Sequence, residues 1–376
     1  MVVSVESATE VGVVVIGAGQ AGLSTAYHLR RRGLRPFEDF VVLDGDAAPG
    51  GAWQHRPSSL TMAMVHGFHE LPGAPLPPLA PLLPARDVLP GYFAAYERDN
   101  ELPVLRPVAV TSVRSESPAP DARLLVQSGS GREWSARALV NATGTWTRPF
   151  VPRYPGAERF RGRMLHSSAY RGPEEFRGMG TVLVVGGGAS AVQILAETAA
   201  VARTLWVTRT PPVFRDDPFV PQELGRAAVA MVEERVRAGL PPRSVVSVTG
   251  LPPSPALLLA RERGALHRLP MFERITEDGV VWLDGHAEHV DAIVWATGFR
   301  AAVGHLALLG LREPGGGIRM DGTRAARDPR VHLVGYGPSA STIGANRAGR
   351  AAAVAVDRYL KTTAAPSAPA LAALPS

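Results

Sequence analysis

Two stretches, "VGVVVIGAGQAGLSTAYHL" and "TVLVVGGGASAVQILAETA", repeat one physical design within a single chain of 376 residues. In each, a β-branched run with the pattern of a buried strand passes without a spacer into a glycine-rich turn. The turn then opens directly into a helical periodicity. The first turn reads Gly17-Ala18-Gly19-Gln20-Ala21-Gly22, a G-x-G-x-x-G spacing, and the second reads Gly186-Gly187-Gly188-Ala189-Ser190-Ala191, G-x-G-x-x-A. In such a turn the first glycine makes the tight bend, the second lets a diphosphate approach the backbone, and the third small residue lets helix and strand pack closely. The helix start presents unpaired N–H groups and partial positive charge to the phosphates. The chain is therefore expected to be α/β, with two Rossmann-like dinucleotide-binding domains.

The strands that follow distinguish the two ligands. "DFVVLDGD" ends in Asp44, placed to accept the ribose hydroxyls of an adenosine, whereas "TLWVTRT" ends in Arg209. An acid at that point repels a 2′-phosphate and a guanidinium pairs with it, so the second site is expected to prefer NADPH. A third signal separates FAD from NADPH. "LVNATG" and "IVWATGF" are two short apolar strands ending in Ala-Thr-Gly, at Ala142 and Ala296, and they flank the second cradle. That arrangement implies that the NADPH domain is inserted into the FAD domain. The expected boundaries are 1–152 for the first part of the FAD domain, 153–290 for the NADPH domain and 291–361 for the second part. Pro-rich "TRPFVPRYPGAE" forms the outward linker, a turn near Asp291 marks the return, and an Ala/Pro/Ser-rich tail, 362–376, is expected to be disordered.

Composition narrows the partners. The formal charge is +6, and arginine supplies all but one (Lys361) of the 40 basic residues. They are scattered, with no stripe interleaved with aromatics, which is unlike a nucleic-acid surface. The one dense run, Arg30 to Gly33, sits where a helix is expected to end, where cations favour the helix dipole and glycine closes the turn. There is no cysteine, which removes disulfide, thiol-metal and dithiol chemistry together. No apolar run reaches the length of a membrane span, and the first ten residues carry two glutamates and no basic residue, unlike a signal peptide. A soluble, cytoplasmic protein is expected, with a small-molecule substrate and no nucleic-acid or membrane partner.

With these motifs in place, the chain resembles the flavin-containing monooxygenases and their class B relatives over all but its two tails. "GAGQAG" resembles their FAD fingerprint, "GGAW" (Gly50 to Trp53) the G-G-x-W that follows the second strand, and the two Ala-Thr-Gly strand ends their linker motifs. "FRGRMLHSSAY" is similar to the family signature F-x-G-x-x-x-H-x-x-x-[F/Y], with Phe160, Gly162, His166 and Tyr170 in its fixed places. The resemblance implies an FAD-dependent enzyme that consumes NADPH. It would transfer one oxygen atom of O2, through a C4a-peroxyflavin, to a small molecule, at nitrogen or sulfur because Tyr170 stands where the Baeyer–Villiger branch has tryptophan. It also adds Gly51, Trp53, Val110, Gly144 and Gly335 to the FAD contacts. His166 is expected to position and gate the two domains, with direct acid–base work the lesser role.

Three departures stand out. "HRPSSLTMAMVHGFHELPG" lacks the asparagine that vertebrate members carry to hold the oxygenated flavin, so an NAD(P)H:flavin oxidoreductase or diaphorase without oxygen insertion is the alternative. Tyr336 follows Gly335 where many two-dinucleotide flavoproteins have an acid, leaving the helix start at Ser341 to Gly344 to face the flavin. The membrane-anchoring C-terminus of animal members is missing and the chain is short for the family, so insertions over the substrate are expected to be reduced. A third reading, an idle nucleotide-sensing scaffold, is opposed by two intact phosphate turns. "HGFH" and "HAEH" lack a third ligand and do not form a metal site. Met62 to Leu71 and Phe214 to Gly225 are the segments expected to face substrate.

Overall fold

Val13, Val14 and Val15 have no solvent-accessible surface, which is what a β-branched run flanked by parallel strands on both sides produces. In the computed structural model, which describes residues 8–65, 68–119, 121–215, 224–242 and 250–363, the strand Thr9–Ile16 pairs in parallel with Phe40–Leu43 and with Glu133–Asn141. This sheet has nine strands: Asp328–Leu333 extends it beyond Glu133–Asn141, and Val110–Ser115 and Leu124–Ser128 form an antiparallel branch. The helices Gln20–Arg31 and Thr342–Thr362 cover one face, burying Leu23, Ala26, Ala352 and Val356 against Val15 and Val140.

A second, five-stranded sheet repeats the plan in the order Arg268–Leu269, Arg203–Val207, Thr181–Val185, Ala292–Trp295, Arg163–His166. Its strands all come from the middle of the chain, and those of the first sheet come from both sides, so one Rossmann-like unit is inserted into the other. A small antiparallel sheet, Arg274–Ile275, Gly279–Val281 and Ala287–His289, flanks it. The run of arginines behaves as expected: the helix ends at Arg31, and Gly33, at φ +93°, donates its N–H to the Arg30 carbonyl at 2.9 Å.

The structure moves the return boundary. Asp291 does not lead back to the first unit. Its carboxylate accepts the Thr181 N–H at 2.7 Å, and the strand that follows it, Ala292–Trp295, is central in the second sheet, paired on both sides. The chain crosses back only after Ala296. The physical reason is that each Ala-Thr-Gly strand belongs to the sheet whose glycine turn it abuts. Ala142 donates its N–H to Ile16 and Ala296 donates to Val185, both at 2.8 Å. Residues 364–376, most of the expected tail, lie outside the described residues.

One buried and one half-buried histidine give this fold an acid sensitivity. His332, 2% exposed, bonds Thr323 Oγ1 through Nδ1 at 3.0 Å, and His305 bonds Asn141 Oδ1 through Nε2 at 2.7 Å. Burial lowers both to about 4. The neutral form is thus held in the folded state while the unfolded chain takes up protons below about 6.5. Stability is complete above that pH and is lost as pH falls toward 4. For His332 the loss is about 2 kcal/mol between pH 6.5 and 5. Urea midpoints measured across this range should fall, and a His332→Gln protein should show a shallower slope.

Candidate active site

Both glycine turns are built from the same contacts. Gly17 donates its N–H to the Leu43 carbonyl at 2.7 Å, and Gly186 donates to the Val207 carbonyl at 2.9 Å. A side chain on Gly17 would press on the Ala142 carbonyl, one on Gly186 on the Ala296 carbonyl, and one on Gly22 on the Gly17 carbonyl. Gly19 and Gly188, in contrast, face open space, with nothing within 4 Å of an added Cβ. They are also the N-caps of the helices Gln20–Arg31 and Ala189–Thr198, and neither helix receives a side-chain cap there. The helices starting after Ser254 and Ser341 are both capped by the serine hydroxyl. Two uncapped helix starts behind an open glycine are what a dinucleotide diphosphate requires, and Ala189, Ser190 and Ala191 form the first turn of the second.

Around the first turn, Gly51 (φ +50°) packs so closely that an added Cβ would sit 3.0 Å from Gly19 Cα. The short 3-10 helix Gly51–His55 thus begins against the cradle. Trp53 is half-buried at the edge of the core, its ring edge-on to Phe68 at 5.6 Å. Gln20 donates from Nε2 to the His69 carbonyl and to Asn346 Oδ1, both at 2.9 Å. Asp44 lies at the strand end, buried, and accepts Arg106 Nε at 2.6 Å, while the rest of that guanidinium grips Glu97 at 2.6 and 2.7 Å. Burial raises the Asp44 pKa and Arg106 opposes it. One Asp44 oxygen is therefore committed to Arg106, a partner that nothing near Asp44 in sequence signals. Val110 is half-buried against the core of the first sheet.

Gly335 takes φ +69° beside Ala21. Tyr336 turns inward, its hydroxyl accepting the Ile318 N–H at 3.1 Å, so it acts in packing. The helix start expected to face a flavin is partly used: Ser341 Oγ accepts the Gly344 N–H at 3.1 Å. Arg209 at the second site is exposed and makes no ion pair among the described residues.

Between the two turns the linkers run together. Residues 144–150 and 298–302 form a short antiparallel ladder, with Phe150 N–H to the Gly298 carbonyl at 2.9 Å, Arg300 to Arg148 at 2.8 Å and Ala302 to Gly144 at 2.9 Å. Thr143 Oγ1 donates to the Ala302 carbonyl at 2.6 Å and Thr297 Oγ1 to the Phe150 carbonyl, so each Ala-Thr-Gly threonine holds the opposite linker. His166 joins this junction. Ser168 N–H donates to its Nδ1 at 3.0 Å, which leaves Nε2 to donate to the Gly298 carbonyl at 2.9 Å. Burial lowers its pKa. This histidine is a neutral tether on the return linker.

The other members of its motif are in the second unit. Phe160 packs in the core beside Trp295, and Gly162 leaves no room for a side chain against Asp291 and the Phe160 ring. Tyr170 is buried, stacked on Phe176, with its hydroxyl donating to Glu197 at 2.6 Å. An aromatic chain then spans the junction: His55 stacks on Trp146 at 6.0 Å, Trp146 on Phe299 at 5.1 Å, and Phe299 meets His166 edge-on at 4.9 Å. His69 and the exposed pair His286 and His289 belong to no metal-ligating group among the described residues, and His66 lies outside them. The segment Phe214 to Gly225 lies largely outside the described residues.

Comparisons with known proteins identify the family and the fold. The profile described as pyridine nucleotide-disulphide oxidoreductase matches residues 11–337. A flavin-containing monooxygenase from Stenotrophomonas maltophilia superposes with a TM-score of 0.78 at 39% identity, covering 93% of this chain and 99% of that one. Indole-3-pyruvate monooxygenase YUCCA4 of Oryza sativa subsp. japonica is 29% identical over 337 residues, 78% of this chain and 75% of the relative. A cyclohexanone monooxygenase shares the fold at 17% identity and a TM-score of 0.62, covering 93% of this chain and 88% of the other.

Proposed function

The chain belongs to the pyridine nucleotide-disulphide oxidoreductase family and, within it, to the flavin-containing monooxygenases; from that premise we propose that it uses FAD and NADPH to place one oxygen atom of O2 on a nitrogen or sulfur of a small molecule. With no cysteine in the sequence, the disulphide chemistry in the family's name is excluded. The observation that carries the reading is the path from one cradle to the other. The 3-10 helix Gly51–His55 starts against Gly19, and the next residue, Arg56, shares a cavity wall with Ser190 and Gln193 at the start of the second cradle's helix. A short 3-10 element thus joins the two proposed diphosphate sites.

Gly17, Gly19, Gln20, Gly22, Asp44, Gly51, Trp53, Val110, Gly144 and Gly335 are proposed to hold FAD, with Arg106 orienting Asp44. Gly186, Gly188, Ala189, Ser190, Ala191 and Arg209 are proposed to hold NADPH, the first unit being 1–152 with the segment after Ala296 and the second lying between. When bound, FAD supplies hydride acceptance and the activation of O2. The protein's own residues orient the two ligands and exclude water. His166 holds the return linker through its Nε2–H and leaves proton transfer to other groups. Tyr170, committed to Glu197, is a positioning residue too. Tyrosine in place of tryptophan, with 39% identity to a flavin-containing monooxygenase against 17% to a cyclohexanone monooxygenase, favours heteroatom oxidation.

Stopped-flow spectroscopy of the NADPH-reduced protein mixed with oxygenated buffer tests this reading. A transient absorbing species between reduced and oxidised flavin is expected, followed by N- or S-oxide formation from an amine or thioether. Direct reoxidation with NADPH consumption matched by peroxide would replace the monooxygenase with a reductase.

Arg209 sets the nucleotide preference. Arg209→Gln removes a charge-assisted bond to the 2′-phosphate, worth about 1.5–3 kcal/mol, and should weaken NADPH by ~10- to 100-fold. NADH is expected to be affected far less, which initial-rate comparison of the two nucleotides will show.

A further inference from the structure

Arg56 is a cation without a counter-ion among the described residues. Its Nε is sealed from solvent and has no hydrogen-bond partner, and its side chain pairs with no carboxylate among the described residues. What surrounds it is aromatic: the guanidinium carbon lies 4.6 Å from the Trp146 ring centre and 5.6 Å from that of Trp53. Asp46 is engaged by His55 at 3.1 Å and Glu197 by Tyr170 and Gln193 at 2.6 and 2.9 Å, so neither acid stands free for it. A sealed donor left without an acceptor forfeits its hydration, so the retention of this one points to an acceptor that arrives from outside the chain.

The place where Arg56 sits names that partner. It lines a cavity of about 40 Å³ together with Trp146, Ser167, Ser190, Gln193 and Phe299. Its polar lining, Ser167, Ser190 and Gln193 beside the guanidinium, suits an oxyanion group. Ser190 and Gln193 stand in the first turns of the helix that begins at the uncapped Gly188. A planar guanidinium matches two oxygens of a phosphate at once.

We propose that Arg56, carried by the first unit, pairs with the diphosphate of the nicotinamide dinucleotide held on the second. This rests on the NADPH reading above. The test uses FAD-loaded protein and compares wild type with Arg56→Met, which keeps an apolar stem between the tryptophans, and Arg56→Lys. Dissociation constants are measured for NADP⁺, 2′-phospho-ADP-ribose and adenosine 2′-monophosphate.

Arg56→Met is expected to weaken the first two by ~10- to 100-fold and to leave the third, which lacks a diphosphate, unchanged. Arg56→Lys should recover part of the loss, and unchanged flavin content will show that the fold is intact. Equal affinities in wild type and Arg56→Met, or an equal loss for all three ligands, would overturn the proposal. So would a defect confined to oxidation of carboxylate-bearing substrates. If wild type itself binds no 2′-phospho-ADP-ribose, the NADPH reading falls first and takes this one with it.

Discussion

A Gly19→Val protein is expected to fold and to elute from purification without yellow colour. Gly19 has φ −80° and ψ −170°, a backbone that any residue adopts, and no atom lies within 4 Å of an added Cβ. The substitution therefore costs the apoprotein little. Its branched side chain instead fills the space in front of the uncapped N–H groups at Gln20 and Ala21, where a diphosphate must sit. Loss of one or two charge-assisted bonds from backbone N–H groups, about 3 kcal/mol, corresponds to ~100-fold in flavin affinity. The absorbance ratio of flavin to protein after gel filtration reads this directly, and circular dichroism should show a wild-type melting curve for apoprotein. Gly22→Val is the contrasting control. Its side chain would collide with the Gly17 carbonyl, so flavin loss there reports a broken turn. A Gly19→Val protein that retains full flavin would remove the first cradle from the FAD assignment.

The difference between these two glycines shows what a sequence can carry. Strand, glycine turn and helix follow one another within about twenty residues, and their hydrogen bonds are local enough for the residue pattern to announce them. Asp44 was legible for the same reason, as the end of the next strand. Arg106 was not: it lies 62 residues from Asp44, and the ion pair exists because the two strand ends Leu43 and Leu105 are brought side by side. The same holds at the junction. His55, Trp146, Phe299 and His166 come from four separate segments, and no periodicity links them. The return boundary was misread because a turn at Asp291 looks like a linker in sequence, whereas its carboxylate is spent on Thr181 and the true crossover is a ladder between two irregular segments. Sequence exposed the strands and cradles; it hid the contacts that tie one cradle to the other.

Those ties make the counterpart substitution in the second cradle the sharper experiment. Gly188→Val also meets open space, at φ −101°, and lies in a unit with its own core around Val184, Ile194 and Trp206. The protein is expected to remain yellow, because an added Cβ at Gly188 meets nothing within 4 Å and so presses on no part of the first cradle. Hydride delivery should fail, however: with the diphosphate displaced from Ala189 and Ser190, NADPH affinity is expected to drop ~100-fold, about 3 kcal/mol. Anaerobic titration separates the two steps. Dithionite should bleach the flavin as in wild type, whereas NADPH at the concentration that half-saturates wild type should leave it oxidised. Gly186 offers no such separation, since a side chain there would strike the Ala296 carbonyl, one residue before the threonine that holds the outward linker. If Gly188→Val also lost its flavin, the two cradles would be one cooperative site; if it were reduced by NADPH at the wild-type rate, hydride would be reaching the flavin by a route that bypasses the second glycine turn.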